Sequence, residues 1–149
     1  MKKKIILSAV AIILCIVMIF GMTAFAGDGF TTLETPVNAE NLVLTQLEGI
    51  TDSKESPKAN KAVDSNFQTA WKSSKSADSL ILTFKEEQTF NTVVIREKGW
   101  KIKDFNLSYY VDTPGNEHWE RFYKQDSVQD YRYCAFEAVT AKQLKFEVS

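Results

Sequence analysis

The chain has 149 residues and a nearly balanced charge, with 18 lysines and arginines, 19 acidic residues and a formal net charge of −1. A surface that binds nucleic acid needs a clustered basic excess, and this composition does not provide one. The chain has two cysteines, one of them in an N-terminal apolar run, so a disulfide framework is excluded and stability has to come from a hydrophobic core.

The N-terminus has the three parts of a bacterial export signal. Residues 2–4 are lysines, residues 5–20 form a nearly unbroken apolar run, and residues 24–26 read Ala-Phe-Ala, which fits an Ala-x-Ala cleavage site. We therefore expect residues 1–26 to be a signal peptide and the mature protein to be secreted. Because about 20 apolar residues can span a bilayer, an uncleaved membrane anchor is the alternative.

A change of composition separates the signal from the rest of the chain. Residues 27–41 contain Gly, Thr, Pro and Asn without periodicity, so we predict a linker. From residue 42 onward the apolar residues alternate with polar ones in short runs, and no stretch keeps helical spacing over three turns. Residues 42–149 are therefore predicted to form one mostly β domain.

The alternating runs define the predicted strands. Residues 80–84 are followed by the polar residues 86–88 and by a second β-rich run, which predicts an antiparallel pair of strands. Thr113-Pro-Gly-Asn116 predicts a turn, because Pro presets the first turn position and Gly tolerates a positive φ. The predicted strands cover residues 80–84, 92–97, 105–111, 119–123, 131–136 and 144–148. Seven or so short strands at this spacing are typical of a β-sandwich or barrel.

Several motifs follow one another in a fixed order. Residues 62–71 read AVDSNFQTAW, residues 90–97 read FNTVVIRE, and residues 102–105 read IKDF; Trp119 and residues 139–146, VTAKQLKF, come after them. This series resembles the discoidin domain, also called the coagulation factor 5/8 type C domain, and its bacterial relatives, the family 32 carbohydrate-binding modules. It is most similar to the version attached to bacterial α-L-fucosidases. The resemblance implies an all-β, discoidin-like (galactose-binding-domain-like) jelly-roll sandwich over residues 42–149.

Two features depart from the family pattern. Ser65 stands where the family usually has a glycine, a change that is tolerated if the backbone avoids a positive φ. Family members also continue past the position of Ser149 into a final strand, which often supplies a Glu near a metal ion. We therefore expect a sandwich that lacks its last strand.

The resemblance implies a structural calcium ion, Ca2+, in the loop over residues 62–69. Asp64, Asn66 and Thr69, with the carbonyl of Ala62, would supply the oxygen ligands that a hard cation requires. The alternative is an Asx-type turn in which Asp64 and Thr69 satisfy backbone amides. Loss of the final strand would remove a carboxylate from the ligand set and weaken such a site.

The resemblance also implies a sugar site on loops at one end of the sandwich. The corresponding positions are Lys72, Glu97, Lys98, Trp100, Tyr131 and Arg132. A pyranose packs its C–H face on an aromatic ring and pairs its hydroxyls with charged or amide groups. We expect Trp100 to be that ring, with a rim residue packed on the sandwich edge as the alternative. Lys72 stands where many sugar-binding relatives have His, so a galactose specificity is not carried over.

Four other residues are given structural roles. Trp71 and Trp119 stand where the family buries a Trp, so both are expected in or near the core. Cys134 alternates with Phe136 on a predicted strand and is expected to be a small buried hydrophobe rather than a reactive thiol. His118 follows a turn and is expected to be solvated.

The sequence contains no catalytic constellation. Glu86 and Glu87 are adjacent and point apart, whereas a glycosidase needs two facing carboxylates about 5 to 9 Å apart. His118 has no credible Ser/Asp partners, and there is no phosphate-binding loop.

We therefore expect a secreted, non-catalytic carbohydrate-binding module for an extracellular glycan, with no nucleic-acid partner. Membrane contact is expected only through an uncleaved signal. The alternatives are an adhesion module that binds protein or lipid headgroups, and a truncated accessory fragment of a larger glycosidase. The sequence leaves the oligomeric state open.

Overall fold

The computed structural model describes residues 15–16, 40–66, 68–74 and 77–149. The strands are β1 (Cys15–Ile16), β2 (Leu47–Asp52), β3 (Asp78–Arg96), β4 (Asp104–Val111), β5 (His118–Asp126) and β6 (Tyr131–Val148). A short helix α1 (Leu42–Thr45) and a 3₁₀ helix (Pro57–Ala62) flank β2. Apart from β1, the predicted signal peptide lies outside the described residues, and so do residues 27–39 of the predicted linker. Export of the protein and cleavage of the signal therefore stay predictions. Within the described part, no helix has the length and apolar character needed to cross a membrane.

The described strands are all antiparallel to their neighbours. They follow the order β1-β3-β6-β4-β5, and β2 also pairs with β3. The two residues of β1 pair with Val93 and Val94. Leu42–Thr45 is helical rather than part of an alternating run, and Asn41 begins this helix by accepting a hydrogen bond from the amide of Val43.

Two strands are much longer than the sequence predicts. β3 has 19 residues and β6 has 18, so the predicted break between two strands at residues 86–88 is wrong, as is the division of residues 131–148 into two strands. Between Thr83 and Gln88 the chain advances five positions along β3, while its partner β6 moves only from Gln143 to Ala141. The extra residues form a bulge, which bends a strand without ending it. The predicted pairing between residues 80–84 and 92–97 is therefore also wrong, because both halves of β3 pair with β6.

The bend folds the sheet over on itself around one core. Phe122 lies on β5, two strands away from the part of β6 that carries Phe136. Even so, the two rings contact each other, with centroids 4.6 Å apart, and Phe122 also lies 6.4 Å from Phe90 on β3. Rings on strands that are not hydrogen-bonded neighbours can meet in this way only across the interior. The architecture is therefore a β-sandwich, as predicted, built from six strands in the described residues rather than seven or so short ones.

Local predictions hold within several elements. On β4, Phe105 and Leu107 are fully buried, as their alternation predicts. The amide of Asn116 donates to the carbonyl of Thr113 at 2.8 Å, and Gly115 has a φ of 80°, so the predicted turn forms. The largest fully buried side chains are Phe84, Phe90, Phe105, Phe146, Leu42, Leu80, Leu82, Ile95 and Leu107.

Trp71 and Trp119 differ in their burial. Trp71 is 3% exposed and belongs to the core, as predicted. The prediction for Trp119 is wrong, because its ring is only partly buried and packs against Tyr110, with centroids 5.2 Å apart, on the outer face of the sheet. Trp119 is the cross-strand partner of Tyr110, whose neighbour Tyr109 contacts Phe122 in the interior. The inward position of Tyr109 therefore directs the pair of Tyr110 and Trp119 outward.

Cys134 and His118 are placed as predicted. Cys134 is fully buried, and burial raises the pKa of its thiol to about 12, so it remains protonated and unreactive. His118 is exposed, with Nδ1 2.8 Å from the carbonyl oxygen of Asn116.

Candidate functional site

A pocket of about 310 Å³ lies where three distant parts of the chain meet. The contributing segments are the loop after Trp71, the loop after β3 and the end of β6. The lining residues are Ala70, Trp71, Lys72, Ser73, Glu97, Lys98, Lys101, Ile102 and Val148. We call this pocket the Glu97 pocket.

A sharp turn after β3 builds one wall of the Glu97 pocket. Gly99 has a φ of 101° and Trp100 a φ of 52°, so two successive residues adopt left-handed backbone conformations. The chain then returns toward Glu97, whose Oε1 accepts hydrogen bonds from the amides of Lys101 and, at 2.8 Å, Ile102. A non-glycine residue in this conformation costs on the order of 1 kcal/mol or more, and such strain is concentrated at functional sites.

Glu97 is a buried acidic residue in the lining of the pocket. It is 4% exposed, and while Oε1 has two amide donors, Oε2 has no hydrogen-bond partner among the described residues. A buried carboxylate oxygen without a donor is costly, since desolvation is not compensated. Because Glu97 lines the pocket, a hydroxyl or N–H group of a ligand can supply the absent donor.

A second pocket of about 480 Å³ adjoins the first and shares Glu97 and Lys98 with it. Its lining residues are Gln68, Arg96, Glu97, Lys98, Gly99, Asp130 and Tyr131. Tyr131 is 47% exposed, and the guanidinium carbon of Arg96 lies 5.3 Å from the centroid of its ring.

Trp100 stands on the rim beside both pockets. It is 64% exposed, and its indole Nε1 donates a 2.8 Å hydrogen bond to Oδ1 of Asp130. Trp100 lines neither pocket itself, but Lys101 on one side of it lines the first and Gly99 on the other side lines the second. The hydrogen bond orients an exposed aromatic surface at the mouth of the site before any ligand arrives.

The structure brings five of the six predicted sugar-site residues together. Lys72, Glu97 and Lys98 line the first pocket, Tyr131 lines the second, and Trp100 lies on the rim. Arg132 is the exception. Its guanidinium donates to the backbone carbonyls of Ser127, at 2.8 Å, and Asp126, so it supports the loop between β5 and β6 and lines neither pocket.

Sequence reasoning missed Arg96, Lys101 and Asp130. Lys101 directly follows Trp100, and Arg96 directly precedes Glu97. Both could have been predicted to lie near the site because their neighbours in the chain were predicted site residues. Asp130 carries no such signal, because its role depends on a hydrogen bond to a residue 30 positions earlier in the chain.

The predicted calcium loop has the hydrogen bonds of an Asx-type turn. Oδ1 of Asp64 accepts from the amide of Asn66 at 2.9 Å, and Oδ2 accepts from the hydroxyl of Thr69 at 2.5 Å. Ser65 has a φ of 58°, so the condition for replacing the family glycine without strain is not met. Among the described residues, no cluster of three or more His, Cys, Asp or Glu side chains could hold a metal ion, so any cation here would depend on one carboxylate with neutral oxygens.

Two aspartates hold the segment that carries Lys72. Oδ2 of Asp52 accepts a 3.2 Å hydrogen bond from the indole of Trp71, and Oδ2 of Asp78 accepts one at 2.7 Å from the amide of Ser74. Burial alone would raise the pKa of each carboxyl group. The hydrogen bonds outweigh burial, so the pKa of both Asp52 and Asp78 lies below the ordinary value of 3.8.

We expect the protein to lose stability as the pH falls below about 4. Because the pKa of Asp52 and Asp78 is lower in the folded than in the unfolded protein, the unfolded chain binds more protons in this range. Their contribution is complete above the unfolded pKa and is lost as the pH falls through the folded one. Thermal unfolding between about pH 6 and pH 2 measures this loss.

The variant Asp78→Asn tests the assignment. It should be destabilised by about 1 to 3 kcal/mol at neutral pH, because an amide nitrogen faces donors where a carboxylate oxygen accepted. It should also lose stability less steeply in acid, whereas the exposed control Asp112→Asn should behave as the original protein does. An acid profile for Asp78→Asn as steep as the original would contradict the role of Asp78.

No protein-family model matches the chain, and no curated protein matches it. Solved structures do match it. A GH29 fucosidase mutant of Ruminococcus gnavus in complex with fucose aligns with a TM-score of 0.57 at 20% identity, covering 68% of this chain and 22% of the fucosidase. The CBM32-1 and CBM32-2 domains of Clostridium perfringens ZmpB align with a TM-score of 0.57 at 20% identity, covering 68% of this chain and 30% of that one.

A third match covers a single module. Chitosan-binding module 2 of a chitosanase/glucanase from Paenibacillus sp. IK-5, in complex with chitotriose, aligns with a TM-score of 0.58 at 17% identity. The alignment covers 68% of this chain and 82% of the module, whereas the chain spans less than a third of the other two proteins. Similarity at these identities is evidence of a common fold. The protein therefore has the discoidin-like β-sandwich fold of the family 32 type of carbohydrate-binding module.

Proposed function

We propose that this protein is a non-catalytic carbohydrate-binding module that recognises a glycan at the Glu97 pocket. The observation that carries the proposal is the buried Oε2 of Glu97, which lines a pocket and lacks a donor among the described residues. Sugar hydroxyls are donors of the required kind. The fold shared with carbohydrate-binding modules supports the same conclusion.

The side chains around Glu97 supply the other contacts that a sugar ring needs. The ammonium groups of Lys72 and Lys98 can donate to hydroxyl oxygens, and the exposed ring of Trp100 offers an apolar surface for a C–H face. The volume of about 310 Å³ lies at the small end of the range for ligand pockets. The site therefore suits one terminal sugar more than a long polysaccharide chain.

The lining of the pocket supports binding without catalysis. Among the described residues, Glu97 is the one carboxylate that lines the first pocket. Glycosidases use two carboxylates on opposite sides of the scissile bond. The Glu97 carboxylate is also committed to the turn through Oε1, which fixes its position as a hydrogen-bond acceptor.

A glycan-array screen of the purified protein tests the proposal. We expect binding to a small set of glycans, and we expect Glu97→Gln to remove it, because its amide nitrogen can replace Oε2 with a donor while the amide oxygen still accepts from the turn. The control Glu117→Gln makes the same charge change on an exposed residue outside both pockets. Absence of binding by a protein that circular dichroism shows to be folded would contradict the proposal, as would binding to lipid vesicles or a protein in place of glycans.

We propose a structural role for calcium at the loop over residues 62–69. The support is that oxygens of Asp64, Asn66 and Thr69 are held close together by hydrogen bonds within the loop. Calcium would link the loop to itself and stabilise the fold without contacting the glycan. Thermal unfolding with calcium and with a chelator measures this stabilisation. An unchanged unfolding midpoint would contradict a calcium site and would mean that the loop is held by the hydrogen bonds of an Asx-type turn alone.

A further inference from the structure

Three lysines line the Glu97 pocket: Lys72, Lys98 and Lys101. None of them forms an ion pair with a carboxylate of the described residues. Among the described residues, Glu97 supplies the only negative charge in the lining, so the pocket has an excess of positive charge. This excess is local, because the whole chain has a net charge of −1.

Buried anchors hold the backbone of each lysine in place. Lys72 directly follows Trp71, whose indole is hydrogen-bonded to Asp52. Lys98 and Lys101 flank the turn whose amides bind Oε1 of Glu97. The backbone positions that bring the three lysines to one pocket are therefore fixed by the fold.

The two kinds of charge occupy different levels of the pocket. Glu97 is 4% exposed and lies on the floor, whereas the three lysines are exposed on the walls. A ligand that enters therefore meets three ammonium groups before it reaches the carboxylate. Their mutual repulsion falls when an anion lies among them, whereas an uncharged sugar leaves the repulsion in place and a cationic sugar increases it.

We propose that the preferred ligand is an anionic saccharide. Its carboxylate or sulfate group lies among Lys72, Lys98 and Lys101, while one of its hydroxyls donates to Oε2 of Glu97. This inference rests on the proposed function and names the class of glycan. Positive charge on the walls selects the acidic group, and the acceptor on the floor requires a neutral donor from the same sugar.

Calorimetric titration of the purified protein compares four trisaccharides. Trigalacturonic acid and a 6-sulfated tri-N-acetylglucosamine are the carboxylate and sulfate probes, uncharged tri-N-acetylglucosamine is the neutral reference, and chitotriose is the cationic one. We expect at least one anionic trisaccharide to bind about tenfold or more tightly than the neutral one at low salt. The difference should shrink several-fold at about 0.5 M salt.

Variants that remove a positive charge test whether the preference for anionic saccharides arises from the lysines of the Glu97 pocket. The double variant Lys72→Gln and Lys98→Gln should abolish the preference for the anionic probe, because it should lower the affinity for that probe much more than the affinity for the neutral one. Lys58→Gln, which neutralises an exposed lysine outside both pockets, should retain the preference. Equal loss in Lys58→Gln and the double variant would overturn the inference in favour of general surface attraction.

The remaining outcomes separate this inference from the proposed function. Equal binding of neutral and anionic probes, or preference for chitotriose, would overturn the anionic preference and leave glycan binding established. A folded protein that binds no glycan on the array or in the titrations would overturn the proposed function and this inference together.

Discussion

Replacement of Trp100 by alanine is expected to weaken glycan binding about thirtyfold while the protein stays folded. The indole is 64% exposed and is held on the rim of the site by its hydrogen bond to Asp130. If a sugar covers on the order of 80 Å² of this surface, the lost contact is worth roughly 2 kcal/mol at about 25 cal/mol per Å². That free energy corresponds to a change of about thirtyfold in the dissociation constant.

The fold should tolerate this substitution because Trp100 contributes little to the core. The backbone turn depends on Glu97, whose Oε1 binds the amides that follow and whose own amide donates to the carbonyl of Asp130 at 3.1 Å. Alanine leaves these hydrogen bonds in place and faces a similar cost at a φ of 52°. The free energy of unfolding is therefore expected to change by no more than about 0.5 kcal/mol.

Calorimetric titration with the best ligand from the array measures the effect, and Trp119→Ala is the matched control. Trp119 is also partly exposed, but it packs against Tyr110 on the outer face of β4 and β5. Its removal should leave the affinity unchanged. Full affinity in Trp100→Ala, or an equal loss in Trp119→Ala, would place the aromatic contact elsewhere.

Replacement of Phe90 by alanine is expected to lower the free energy of unfolding by about 3 to 5 kcal/mol. Phe90 is fully buried just after the bend in β3, and its ring contacts Phe84, Phe122 and Phe136 at centroid distances between 6.1 and 6.4 Å. These contacts connect the two halves of the folded sheet. Alanine would leave a cavity that such a large aromatic cluster cannot close without moving β5 relative to β6.

Urea unfolding followed by the fluorescence of buried Trp71 measures this loss. Tyr133→Ala is the control, since Tyr133 is 42% exposed on β6 and should cost less than about 1 kcal/mol. If Phe90→Ala does not fold, Phe90→Leu keeps most of the apolar volume and should show a smaller loss in the same direction. Stability of Phe90→Leu equal to that of the original protein would contradict a joining role for this ring.

Structural features that depend on residues close together in the chain, or on a family motif, were predictable from the sequence. Phe105 and Leu107 are buried because side chains alternate between the two faces of a strand whatever its partners are. The turn at residues 113–116 forms because Pro114 and Gly115 have the conformational preferences that it needs. The burial of Trp71 followed from its place in a family motif.

Properties that depend on partner strands were not predictable. The polar residues 86–88 are compatible with either a turn or a bulge, and the outcome depends on β6, which pairs on both sides of them. Trp119 faces outward because its cross-strand partner is Tyr110, a pairing that its own flanking residues do not specify. Arg132 lies on the same face of β6 as the buried Cys134, two positions away. Its guanidinium therefore donates to the backbone carbonyl of Ser127 and does not reach the two pockets.

By itself the sequence determined the β class, the alternation within strands and the turn at residues 113–116. Through a family pattern it also predicted a sugar site, and five of the six residues predicted for it lie around the two adjoining pockets. Only the tertiary structure decided that Glu97 is buried with one oxygen lacking a donor and that Lys101 joins Lys72 and Lys98 in one pocket. The physical reason is that burial, hydrogen-bond satisfaction and local charge at this site are shared among residues 70–73, 97–102 and 148, which only the folded sandwich brings together.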